Sequence, residues 1–154
     1  MRKMLLLLFE IGNGRYALET NQIIEIVPLV KLKKIPTTPE YVAGLMNYRG
    51  QGIPVIDLCR LIDDIPHDNA LSTRIIIVDY PVKDEINKPL GLIANNVTET
   101  VRTKLSKPPP AGVLMDKSLY EGEGTPETSD MIQWFDTRKM LPAEEITVLF
   151  EKEQ

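Results

Sequence analysis

Few residues in this 154-residue chain have the types and spacing that chemistry requires. The only histidine, His67, stands beside Pro66 among Asp63, Asp64 and Asp68, a stretch that reads as a connecting loop. A zinc site needs several His or Cys ligands at close spacing, and none accompanies His67. A calcium loop needs alternating oxygen ligands closed by a glutamate, so Asp63–Asp68 reads instead as a solvated turn. The single cysteine, Cys59, lies in the apolar stretch Val55–Ile62 and reads as a small core residue rather than a nucleophile. Gly12-Asn13-Gly14 is too short to cradle a phosphate and opens no helix. There is no Gly-x-Ser-x-Gly elbow, no Gly-Lys-Ser/Thr, and no acid–base pair that the sequence singles out. The expectation is a protein that is not an enzyme and carries no cofactor or metal.

Binding chemistry is better represented. Asn47-Tyr48-Arg49-Gly50 puts a planar, five-donor guanidinium on a hairpin directly before its turn. There it can clamp a partner's carboxylate or carbonyl through two parallel N–H groups. It can equally close a local salt bridge, with Glu25 as the candidate, and simply hold the hairpin. The residues alone weigh the two roles evenly. Val27, Leu29, Val30, Val97 and Val101 supply apolar surface that fits either a core or a groove, and core is the default for each. Leu29 and Val30, between Pro28 and the lysines Lys31, Lys33 and Lys34, are the better candidates for exposure.

The elements that must position these residues are mostly strands. Leu5–Ile11 and Arg15–Leu18 flank Gly12-Asn13-Gly14 and predict a β-hairpin. Ile23–Val27 is β-branched and stops at Pro28. Val42–Tyr48 and Ile53–Leu58 flank a second glycine turn, Arg74–Tyr80 and Leu90–Ala94 are buried strands, and Glu145–Phe150 reads as a final strand. Asp57 and Asp136 each precede a short helical segment, Leu58–Ile62 and Thr137–Leu141, that an aspartate can cap. The twelve prolines suit many short strands and turns. Leu105–Asp130 is the least patterned region; it should hold a short strand or edge, with Leu119-Tyr120 as anchor.

Net charge of −4 argues against a nucleic-acid binder, and an apolar content of 43% against disorder. The apolar run from Leu5 ends at Phe9-Glu10 without a cleavage site, and no stretch is long enough to cross a bilayer, so a cytoplasmic protein without membrane insertion is expected. The chain also repeats itself. Tyr16–Val27 laid over Leu90–Val101 aligns Leu18 with Leu92, Asn21 with Asn95, Glu25 with Glu99 and Val27 with Val101. Ile56-Asp57-Leu58 then matches Phe135-Asp136-Thr137 in the same order. The reading is a single domain over residues 4–152 built of two similar β lobes, roughly 5–66 and 70–142, with strand 145–150 returning to the first.

The stretch Tyr41-Val-Ala-Gly-Leu-Met-Asn-Tyr-Arg-Gly-Gln-Gly-Ile-Pro-Val-Ile-Asp-Leu58 resembles the signature of CheW-like domains, V-x-G-x-x-N-x-R-G-x-x-x-P-V-x-D-L. Tyr16–Leu18, Ile23–Val27 and Leu90–Val97 resemble further family elements in order. The resemblance implies an all-β fold of two packed SH3-like five-stranded barrels with a few short helices. It also implies a non-catalytic adaptor that couples methyl-accepting chemoreceptors to a CheA-type histidine kinase, for flagellar or another output. One lobe would pair with the kinase's CheW-like regulatory domain, and a groove between lobes would take the receptor's helical cytoplasmic tip. By motif, Glu25, Val27 and Arg49 fall where the family contacts receptor, Val97 and Val101 match the facing groove wall, and Asn47, Gly50 and Gly91 are motif and turn residues. The chain departs from the pattern at Tyr48, where leucine is usual, at Asn95 and Asn96, often acidic, and at Gln133-Trp134, often aliphatic. The competing expectation is a small β-barrel that binds a ligand or nucleic acid.

Overall fold

The computed structural model describes residues 4–82, 86–103, 105, 107–109, 112–115 and 131–152. Nine strands and three helices follow in the order β1 (Leu5–Ile11), β2 (Gly14–Glu19), β3 (Ile23–Pro28), β4 (Val42–Tyr48), β5 (Gln51–Asp57), α1 (Leu58–Asp63), β6 (Arg74–Pro81), β7 (Asn87–Arg102), β8 (Val113–Met115), β9 (Met131–Trp134), α2 (Thr137–Met140) and α3 (Ala143–Lys152). The expected all-β class holds. Strand β8 supplies the short strand expected in the least patterned region; Leu119-Tyr120 lies outside the described residues.

Two five-stranded sets share the long strand β7. In one, the second half of β7 pairs with β1, β1 with β2, β2 with β9 in parallel, and β9 with β8. In the other, β3 pairs with β6, β6 with the first half of β7, β7 with β5 in parallel, and β5 with β4. The sequence of antiparallel and parallel pairings is the same in both. Among the described residues, neither set closes on itself through strand pairing, so each is an open five-stranded unit rather than a sealed barrel.

The repeat does not coincide with the lobes. β3 follows β2 in the chain yet pairs with β6, while the second half of β7 pairs with β1. Each sequence repeat therefore sends one strand into the other's sheet. Among the described residues, one lobe takes β1, β2, the second half of β7, β8 and β9, and the other takes β3 to β6 with the first half of β7. The exchange turns at Thr20–Gln22, a single 3-10 turn, and at Asn96, whose φ of 47° bends β7 between the two sheets. Asn95 is buried there, its Oδ1 accepting from the Asp68 N–H and the Thr73 hydroxyl. Asn96 accepts from the Ser72 hydroxyl and donates to Glu10. A short amide side chain suits this bend, because Asn tolerates left-handed backbone and offers both a donor and an acceptor.

Three apolar clusters follow from this arrangement. Leu6, Leu8, Ala17, Val101 and Ile132 fill the first lobe; Met46, Ile53, Val55, Ile75, Ile77 and Ile93 fill the second. The largest cluster, with Phe9, Leu18, Ile56, Leu58, Ile76, Leu92, Val97 and Phe135, lies between them. Alternation along β6 and β7 explains the split: Ile75 and Ile77 face the lobe interior while Ile76 and Val78 face the shared cluster.

The final strand expected over Glu145–Phe150 is instead part of helix α3. Its β-branched run is overridden by spacing: Ile146, Leu149 and Phe150, at i, i+3 and i+4, are buried together in the shared cluster, and Phe150 stacks on Tyr80 at 6.5 Å between ring centroids. Glu144 and Glu145 in the first turn complement the positive end of the helix. The segment thus returns to the seam between lobes, not to a sheet of the first.

Candidate functional site

The β4–β5 hairpin turns through Arg49 and Gly50, both with positive φ (52° and 83°). That pattern belongs to the two-residue turns whose twist matches paired strands. Gly50 adopts it without side-chain strain, and its N–H donates to Asn47 Oδ1 at 3.0 Å. Arg49 is held in it by its surroundings. Its guanidinium lies over the Tyr48 ring, 5.2 Å from the centroid, and Nη2 donates to Glu25 Oε1 at 2.9 Å. Glu25 reaches it from β3, an edge strand, just past a register shift between Ile23 and Glu25. The salt bridge expected as one role of Arg49 is therefore present.

That bridge does not consume the arginine. The side chain of Arg49 is 74% exposed and that of Glu25 37%. Only one of the guanidinium's donors is directed at Glu25, so the remaining edge faces solvent in a fixed orientation. Beside it, Val27 is half-buried against the second lobe's cluster, as are Leu29, Leu32, Ala43 and Tyr48. Ile24 and Val30 are exposed. The structure thus joins Glu25, Val27, Arg49, Asn47 and Gly50 on one lobe, with a charged pair at the hairpin turn and an apolar margin along β3.

The other residues suggested by sequence fall elsewhere. Val97 is 1% exposed in the shared cluster and Val101 9% exposed inside the first lobe. Neither offers side-chain surface for a groove wall; both are core, which is where β7 turns them once it has crossed between sheets. Gly91 is a packing position in the parallel β5–β7 pair. A Cβ there would meet Ile75 Cγ2 and Val55 Cγ2, each at 3.0 Å.

Asp57 and Asp136 cap α1 and α2 as their positions imply, Asp57 accepting from Cys59 and Arg60 N–H groups and Asp136 from Arg138 N–H. His67 is not a freely solvated loop residue: its Nδ1 lies 2.7 Å from Asp57 Oδ2. No local motif announces this contact, which joins two segments ten positions apart. Cys59 is 1% exposed, and burial, reinforced by the Asp57 charge, pushes its thiol up to about 11. It is inert as a nucleophile at neutral pH. Among the described residues no group of His, Cys, Asp and Glu could hold a metal, and no helix is long and apolar enough to cross a membrane.

Comparison with known proteins gives a consistent result. Residues 5–145 match the CheW-like domain. The chain is 31% identical over 118 residues to the chemotaxis protein CheW of Helicobacter pylori, covering 75% of this chain and 68% of that one. It is 24% identical over 141 residues to the chemotaxis protein CheW of Bacillus subtilis, covering 90% and 87%. Among solved structures it resembles the scaffolding protein CheW of Thermoanaerobacter tengcongensis, with a TM-score of 0.66, 28% identity and coverage of 88% of this chain and 86% of that one.

Proposed function

The chain belongs to the CheW-like domain family, and on that premise we propose which partners it joins and through which residues. It is a non-catalytic chemotaxis scaffold, an adaptor that couples chemoreceptors to a CheA-type histidine kinase. Its partners are the regulatory domain of that kinase and the helical cytoplasmic tip of a methyl-accepting receptor. It works in the cytoplasm and is recruited to receptor arrays at the membrane.

The observation that carries the receptor assignment is the state of Arg49: exposed, yet fixed by the turn, the Tyr48 ring and Glu25. A pre-oriented guanidinium loses little conformational freedom on meeting a partner, so its hydrogen bonds add to affinity rather than offsetting an ordering cost. Val27 beside it supplies apolar contact for one face of an amphipathic helix, with the Glu25–Arg49 pair setting register. Val97 and Val101 act through the core that shapes this surface.

Titration calorimetry at tens of micromolar, on the order of weak-complex affinities, tests the reading. The chain should bind both a receptor-tip fragment and the kinase regulatory domain, and Arg49→Ala should lose the first while keeping the second. Binding to neither partner would falsify the proposal. A nucleic-acid-binding barrel, the other expectation, is not favoured by the family match or by the net charge of −4.

A further inference from the structure

Asp57 closes β5 at the end opposite the Arg49 turn; seven strand residues separate the two by roughly 20 Å. The aspartate is 4% exposed and both its carboxylate oxygens are engaged. Oδ1 accepts from the N–H groups of Cys59 at 3.0 Å and Arg60 at 3.4 Å, while Oδ2 takes the His67 ring at 2.7 Å and the His67 N–H at 3.4 Å. This clamp fixes the imidazole in the wall of a cleft of about 630 Å³. Small-molecule sites typically enclose ~300–1,000 Å³, so the cleft has the right scale for a ligand.

The lining is chemically divided. His67 is 24% exposed, and with Nδ1 held by Asp57 its Nε2 is the ring nitrogen left for a ligand. Lys34 and Arg60 line the same cleft, and among the described residues neither has an ion-pair partner. Glu40 is the one opposing carboxylate in the lining that is not already engaged as Asp57 is. The accessible remainder is largely apolar: Pro36, Pro39 and Pro66 are exposed and Leu32 is half-buried, with Ile35 and Val42 buried behind them. Two cations with no ion-pair partner among the described residues, beside an oriented imidazole, call for an oxyanion; the apolar wall calls for a body that water does not hold well.

We propose that this cleft is a binding site for an organic carboxylate with an apolar body, its carboxylate on the Lys34 and Arg60 donors beside the His67 ring and its body against Leu32, Pro36, Pro39 and Pro66. The site is separate from the Arg49 face and does not depend on that assignment. It gives the scaffold a place where a small organic acid engages the lobe that also carries Arg49.

Because His67 is the chain's only histidine, its imidazole resonances are uniquely assigned in a nitrogen-15 spectrum. The probes are 3-phenylpropionate, its neutral amide, and inorganic phosphate. The expected result is a saturable shift of the His67 ring signals with 3-phenylpropionate, at least about fivefold weaker with the amide, with phosphate, and in Lys34→Gln and Arg60→Gln. Lys34 is exposed, so its replacement leaves the backbone amide spectrum otherwise unchanged and keeps the test readable. No saturable shift, an amide or phosphate that matches the acid, or undiminished binding in both variants overturns the proposal.

Discussion

Arg49 Nη2 stands 2.9 Å from Glu25 Oε1, tying the turn of the β4–β5 hairpin to the edge strand β3. Both side chains face solvent, so the bond is a surface ion pair, and such pairs contribute only ~0–1 kcal/mol to stability. Its consequence is positional: it sets where the guanidinium points.

The pair should therefore separate stability from recognition. Arg49→Ala and Glu25→Ala are expected to lower unfolding free energy by less than about 1 kcal/mol. Receptor-tip affinity should fall by tenfold or more for Arg49→Ala, as for a loss of about 1.4 kcal/mol or greater at an anchor. Denaturant melts and tip-binding titrations on the same samples measure both. A large stability loss with intact binding would make the pair a structural clasp only.

Val97 and Val27 should behave in opposite ways. Val97→Ala removes methyl groups from a side chain 1% exposed in the cluster between lobes and should cost about 1–3 kcal/mol of stability, with little direct effect on tip affinity. Val27→Ser, at a half-buried position, should cost less stability and weaken tip binding. Urea unfolding paired with the same titration distinguishes them.

The two capping aspartates differ in depth, and their replacement should differ accordingly. Asp136 makes one cap hydrogen bond, so Asp136→Ala should cost about 1 kcal/mol. Asp57 is buried and satisfies Cys59, Arg60 and His67, so Asp57→Ala should cost at least about 2–3 kcal/mol and free the His67 ring. Thermal melts and the His67 ring signal report the two effects.

Cys59 should stay silent toward thiol reagents in the folded chain, reacting at pH 8 only at the rate of unfolding. The folded thiol titrates near 11 rather than 9.0. Between those values the unfolded chain releases a proton that the folded chain keeps, so stability falls as pH rises through that window. Cys59→Ala should flatten this part of the stability curve relative to the parent. Tyr16 and Tyr80, also raised by burial, act in both proteins and cancel in the comparison.

What was legible in the chain was local. The hairpin turns at Gly12 and Gly50 and the caps at Asp57 and Asp136 each depend on residue types within a few positions, and the structure has them. Tyr16–Val27 and Leu90–Val101, which align in the sequence, occupy matching places in the two sets. The strand exchange was not legible, because sequence similarity records local conformation and not which sheet a strand joins. Ile146–Phe150 carried two periods at once, and burial of Ile146, Leu149 and Phe150 against the shared cluster decided for the helix. Valine reads alike in a groove and a core, so Val97 and Val101 could be placed only by tracing β7 across the seam. The turn that carries Arg49 was legible from Asn47 and Gly50, whereas the Asp57–His67 contact needed the fold to bring a loop back to a helix cap.

If the chain bridges receptor and kinase as proposed, co-sedimentation will report it, with receptor cytoplasmic fragments arrayed on vesicles and a CheA-type kinase in solution. Kinase should enter the pellet only when the chain is added, and the Arg49→Ala chain should bind kinase without bringing it down. Kinase sedimenting equally well without the chain, or a chain that stays in the supernatant with both partners present, would rule the bridge out.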